Sequence, residues 1–300
     1  MENGVLTGVV FGLLMAVFQS LSYLCCRAFM KKHDGDFLKL LCLSHIIMGV
    51  VSLPVIVFMR PVEMPAVSGY IVSLLACVGF YLIGQTFFFA AIAHSEPSRV
   101  SPILGLKVLM LAVINAAFLG ATFSAAKWIA VGLSTAAIFL LSSTGGKMDR
   151  RALVFAVLAC TGYCFSDLNI KILVDKFSFM GVFGRAILTG SMCYALCGLA
   201  GAVALVFCRG RTDRDTWLYA LPFSVLWFIS MIFLFSCFSL VGVVFGNILQ
   251  STRGLISVVL GFAIAHIGFE DWEAKVTKKV FLQRLLAALL MTGAVGLFLI

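Results

Sequence analysis

Charge is what this sequence has least of. Asp, Glu, Lys and Arg make up 12% of its 300 residues and hydrophobic residues 62%, where a soluble domain has roughly a quarter charged and just under half apolar. So few charges cannot clothe so much apolar surface in water, which excludes a soluble globular fold. The opening "MENGVLTG" contains no Lys or Arg, so the first apolar run lacks the basic flank of a cleaved signal peptide and reads as a retained helix. There is no nucleophile-elbow or phosphate-loop pattern, and no cluster of three or four metal-ligating residues, so neither an enzyme, a cofactor nor a metal is expected. The ten cysteines fall within or at the edges of apolar runs, where cysteine serves as a small hydrophobe. Cys160/Cys164 and Cys193/Cys197 have ligand-like i,i+4 spacing, with no His or carboxylate to complete a set.

What the chain does have is apolar runs long enough to cross roughly 30 Å of hydrocarbon as helices. Ten can be read: Val5 to Cys25, Leu40 to Met59, Val67 to Ala93, Val100 to Gly120, Ala125 to Ser143, Ala152 to Val174, Phe179 to Cys208, Thr216 to Leu240, Val241 to Ile267 and Val280 to Ile300. The expected fold is an all-α integral membrane protein with ten transmembrane helices. Basic residues mark its orientation. Fifteen Lys and Arg fall in the connections after the odd-numbered spans, against five in the other set; the positive-inside rule then places the first set in the cytoplasm and both termini outside. The same bias accounts for the net charge of +9 without nucleic acid. A compact chain without tails suits a bacterial inner membrane, the plasma membrane of such a cell. Connections of about a dozen residues or fewer leave lipid, a small-molecule substrate and a second copy of the chain as the partners to consider.

The chain also repeats itself. Setting Val10 to Lys32 over Val154 to Lys176 pairs Val10 with Val154, Phe11 with Phe155, Leu14 with Leu158, Ser22 with Ser166 and Leu24 with Leu168, at an offset of 144 residues. Farther along, "ILGLKVLML" from Ile103 lies over "LQSTRGLIS" from Leu249, with Lys107 opposite Arg253 at an offset of 146. Two halves, residues 1–146 and 147–300, would each hold five helices. An odd number inserts the second half upside down, giving a 5+5 inverted-topology repeat of the kind used for alternating access.

With this layout, "AIAHSEPSRVSPILGLKVL", "LGATFSAAKWIAVGLSTAAIFLLS" and the closing "RLLAALLMTGAVGLF" resemble the drug/metabolite transporter superfamily, and within it the EamA-like branch. Two features depart from its relatives. Leu119-Gly120 is followed by Ala121 where many EamA-like proteins have an acid, and the first span has no acid where small cation exporters carry a Glu. Both weaken a proton-coupled cationic-drug pump. The resemblance implies a secondary transporter, and its phosphate-translocating branch holds anions with Lys and Arg on the fourth and ninth helices, which here carry Lys107 and Arg253.

A charge near the bilayer centre costs about 2.5 to 3.5 kcal/mol or more, so it faces the bundle interior or a water-filled cavity. Arg253, twelve residues into its span, is about 18 Å deep. Lys107 is shallower, and snorkelling to the headgroups is a rival reading. Of 13 acids only Asp167 lies within a span, four residues before Lys171, where the two can form an ion pair on one face; it is otherwise a coupling or gating carboxylate. If Lys171 occupies it, Lys107 and Arg253 are two cations whose missing counter-ion is the substrate. Gln250 and Ser257 share the helix face of Arg253 and could complete the site, with Gln85 and Asn247 as further contacts. Gln19, His45, Asn115 and His266 suit interhelical hydrogen bonds at least as well. The expected function is transport of a small anionic or zwitterionic metabolite. The alternatives are a broad exporter of neutral amino acids or hydrophobic compounds, in which both cations are structural, and a non-transporting membrane protein.

Overall fold

The computed structural model of the chain describes residues 2–33, 36–94, 101–142, 149–208, 212–253, 256 and 278–299. Among these every regular element is helical: α1 (Glu2–Lys32), α2 (Phe37–Met59), α3 (Val67–His94), a 3₁₀ turn (Ser101–Gly105) leading into α4 (Leu106–Phe118), α5 (Ala125–Ser142), α6 (Arg150–Asp175), α7 (Val182–Leu205), α8 (Arg214–Ser251) and α9 (Lys278–Leu299). Six of them, α1, α2, α3, α6, α7 and α8, are long and apolar enough to cross a bilayer; the stretches Ile103–Phe118 and Leu289–Phe298 are shorter apolar helices. Val57, Phe58, Phe118, Val206 and Phe207 stand exposed, and hydrocarbon would take the place of water around them.

Acids placed by sequence at helix ends act there as caps. Asp36 accepts from Lys39 N–H, Asp149 from Arg151 N–H and Asp213 from Thr216 N–H, satisfying donors that a helix N-terminus leaves free. The hydroxyl and N–H of Thr216 hold the Asp213 carboxyl below its usual range.

The 38-residue α8 would measure about 57 Å if straight, nearly twice the apolar thickness of a bilayer. It bends instead at Gly242, whose φ of 79° and ψ of 170° lie in a region essentially open to glycine alone. Two arms result, 214–241 and 243–251, and the break falls beside the boundary expected at Leu240/Val241. The remainder of the ninth span, from 257 onward, lies outside the described residues.

Packing is dominated by a few helix pairs: α1 against α8, α3 against α6, α2 against α7 and α5 against α9. Small residues let the backbones approach. A Cβ added at Gly198 would lie 2.8 Å from the Gly49 Cα and 3.0 Å from the His45 carbonyl, and one at Gly162 would lie 2.8 Å from the Gly84 Cα. Both obstacles are backbone, which cannot rotate away. Gly198→Val should therefore destabilise the bundle by about 1 to 3 kcal/mol and lower its thermal midpoint in detergent. Gly190→Ala, whose added Cβ meets its first atom at 4.0 Å, should leave the midpoint nearly unchanged.

Candidate functional site

The second arm of α8 runs alongside α1, bringing Gln19 and Tyr23 to face Gln250 and Arg253. Likewise α4 runs beside α6. Cys160 Sγ meets the Ile103 carbonyl at 3.3 Å and Cys164 Sγ the Lys107 carbonyl at 3.6 Å, so the two chains advance in the same direction and level. Lys107 thereby reaches Asp167, about 25 Å along α6 from Arg150 and about 12 Å from Asp175 at 1.5 Å per residue. That depth removes snorkelling as the account of Lys107.

A continuous polar chain joins these elements. Lys107 Nζ lies 2.8 Å from Asp167 Oδ2, with side chains only 15% and 8% exposed, and donates to Gln250 Oε1 at 3.0 Å. Asn247 Nδ2 donates to the same Asp167 oxygen at 2.9 Å. Gln250 Nε2 donates to Gln19 Oε1 at 3.3 Å, and Arg253 Nη1 donates to Gln19 Oε1 at 3.1 Å and to the Tyr23 hydroxyl at 3.3 Å. The guanidinium also lies 5.6 Å from the Tyr23 ring centre, in cation–π range.

The local ion pair expected between Asp167 and Lys171 does not form. Lys171 bonds Asp175 at 2.6 and 2.8 Å, because both spacings are one helical turn and Asp175, at the exposed helix end, keeps both charges hydrated. Asp167 faces inward instead, where Lys107 is its counter-charge. The expectation of two unpartnered cations is therefore corrected: Lys107 has a carboxylate, whereas the partners of Arg253 among the described residues are neutral. Counting both cations and the acid, this network carries one net positive charge. Ser257 and His266 lie outside the described residues.

Gln85 belongs to an adjoining aromatic cluster. Its amide donates to the Tyr81 hydroxyl at 3.0 Å, and Tyr81 lies 3.0 Å from His45 Nε2. The other His45 nitrogen sits 2.7 Å from the Leu41 carbonyl, which places the proton on Nδ1 and makes Nε2 the acceptor from Tyr81. Trp227 donates to the Tyr194 hydroxyl at 3.0 Å and meets the Tyr23 ring edge-on at 6.0 Å, so the cluster reaches Arg253 through Tyr23. Asn115 merely bonds the Leu111 carbonyl of its own helix.

Sequence reading overlooked Tyr23, Tyr81 and Tyr194, tyrosines being unremarkable in an aromatic-rich membrane chain. Tyr23 did leave a signal. It stands 144 residues before Asp167, the offset already found between these helices, so it occupies beside Arg253 the place that Asp167 takes beside Lys107. Ser20 and Cys164 share this offset, and each bonds the backbone carbonyl of the neighbouring cation, Arg253 at 3.0 Å and Lys107 at 3.6 Å.

Removing one partner of a buried ion pair strands the other's charge, at a cost of about 3 to 5 kcal/mol. Lys107→Met and Asp167→Leu should each lower the thermal midpoint markedly, while the double variant should recover most of the loss. Additive losses in these four proteins would contradict the pairing.

Residues 6–143 match the EamA-like transporter family. A crystal structure described without a function is similar in fold, with a TM-score of 0.71 at 14% identity, covering 97% of this chain and 95% of that one. No curated protein matches the sequence. Across residues 6–143 this multi-pass helical chain is thus similar to the EamA-like transporter family.

Proposed function

We propose that this protein is a secondary transporter that carries a small organic anion or zwitterion by alternating access, and that Arg253 receives the negative group. The carrying observation is the unequal pair of cations: one has a carboxylate, the other only neutral partners among the described residues. A guanidinium presents a planar fork suited to carboxylate or phosphate. The Gln19 amide and Tyr23 hydroxyl now holding it exchange for an anion at less cost than a fixed counter-charge would.

The mechanism uses ten membrane helices in two inverted halves, 1–146 and 147–300. Helix pairing supports it. Exchanging α1 with α6, α2 with α7, α3 with the first arm of α8, and α5 with α9 turns the α1–α8 pair into α6–α3 and returns the α2–α7 and α5–α9 pairs to themselves. The contacts of Ser20 with Arg253 and of Cys164 with Lys107 correspond under the same exchange. Rocking such halves about a central site would open it alternately to either side. The distribution of basic residues supports a plasma-membrane orientation with both termini outside.

A second reading is favoured by the aromatic cluster of Tyr81, Tyr194, Trp227 and Tyr23 beside the cation: a neutral amino acid or apolar compound would pack on those rings. Uptake by proteoliposomes separates the two. If Arg253 holds the anion, Arg253→Ala should weaken apparent affinity upward of about 30-fold, as loss of a desolvated charge contact costs about 2 to 5 kcal/mol. Full retention of transport for every accepted anion would remove the anion site and leave the neutral reading.

A further inference from the structure

We propose that the cavity where α2 ends and α7 begins holds one anionic phospholipid, with its phosphate on Arg60 and Arg185 and its glycerol and first methylenes among Ile56, Leu188 and Met192. This site shares no residue with the polar chain from Lys107 to Arg253 and does not depend on the anion proposed there.

The cavity measures about 270 Å³, and its lining includes Ile56, Arg60, Tyr70, Leu188 and Met192. Tyr70 is buried and packs on Phe177 with ring centres 5.4 Å apart. Arg185 precedes Leu188 by three residues and Met192 by seven, so it continues the α7 wall of the cavity by one further turn. The two helix ends meet at Gly184, where an added Cβ would lie 3.8 Å from the Met59 methyl. Arg60 and Arg185 each stand one residue from that meeting point.

Two cations therefore share this end of the bundle with no anion between them. Glu63, three residues after Arg60, is exposed and pairs with neither. Among the described residues neither guanidinium makes an ion pair or a hydrogen bond, and Arg185 Nε is buried without a partner. Arg60 follows the last residue of α2, where the helix dipole favours a cation, but Arg185 lies in the first turn of α7, where the dipole disfavours one. Both also belong to the five basic residues of the sparsely basic set, so the positive-inside bias does not account for them. A phosphate supplied from outside the chain offsets their repulsion and gives Nε an acceptor.

Size and lining favour a lipid over a free anion. Pockets for whole small ligands run from about 300 to 1,000 Å³, so this cavity takes part of a larger molecule. Beyond the arginines its lining is mainly apolar, which offers a free phosphate few donors and gives ester carbons extensive contact. The rest of the molecule has a surface beside it. Val57, Phe58 and Val62, on either side of Arg60, are 72%, 85% and 105% exposed, and such side chains at a helix end lie against hydrocarbon. Basic pockets between membrane helices bind anionic head groups in this manner.

Thermal midpoints of purified full-length protein in neutral detergent provide the test, since a ligand of the folded state raises the midpoint with its concentration. The probes are dioleoyl-phosphatidylglycerol, dioleoyl-phosphatidylcholine and inorganic phosphate. The wild type should respond to phosphatidylglycerol more tightly than to phosphatidylcholine, and not to inorganic phosphate. Arg60→Gln and Arg185→Gln should each weaken apparent affinity for phosphatidylglycerol about 5-fold, the worth of one basic residue against anionic lipid. Met192→Trp, which fills the cavity without altering charge, should weaken it by at least as much, whereas Lys127→Gln, a cation of the same set on α5, should change nothing. Midpoints without lipid report the folding of each variant separately. An equal response to the two lipids, an equal loss in Lys127→Gln, or full affinity in Met192→Trp would overturn the site. A midpoint raised as far by inorganic phosphate as by phosphatidylglycerol would replace the lipid with a small anion.

Discussion

One ion pair organises the interior of this protein. Lys107 and Asp167 come from helices far apart in sequence, and neither charge could remain in the membrane alone: each would cost several kcal/mol there. Their contact fixes how α4 lies against α6. Through Gln250 and Asn247 it also fixes the second arm of α8, whose direction the turn at Gly242 has set. Gln19 then hangs Arg253 from the same framework. Four elements, α1, α4, α6 and the second arm of α8, converge on a few side chains because buried polar groups need partners, and in this chain such partners are scarce.

Scarcity also explains why so much was legible in the sequence and where legibility stopped. Apolar runs gave the positions of α1, α2, α3, α6 and α7 closely, and the eighth span was separated from the ninth within two residues of the turn at Gly242. Those features depend on local composition and length. The pairing of Asp167 was misjudged because an i,i+4 neighbour can be read from spacing, whereas Lys107 is 60 residues away and is brought close by packing. Lys171 had an equally spaced and better hydrated alternative in Asp175, and a one-dimensional reading gave no reason to prefer it.

Tyr23 is the more instructive omission. It stands 144 residues before Asp167, the offset of the repeat expected from the sequence, and it meets Arg253 with a phenol where Asp167 meets Lys107 with a carboxylate. The two cations are thus held by different chemistry, Lys107 by an ion pair and Arg253 by hydrogen bonds and a ring face. Among the described residues, one of these cations has a carboxylate partner and the other has neutral partners alone. If the chain carries an anion as proposed, Arg253, whose partners among the described residues are neutral, is where that negative charge has most to gain.

The most direct test of that view is a structure of the protein with a transported solute bound. The account predicts a carboxylate or phosphate oxygen of the solute within hydrogen-bond distance of the Arg253 guanidinium, with the contacts to Gln19 and Tyr23 loosened or shared. A solute seated elsewhere, with Arg253 still bonded to Gln19 and Tyr23 as it is now, would contradict it.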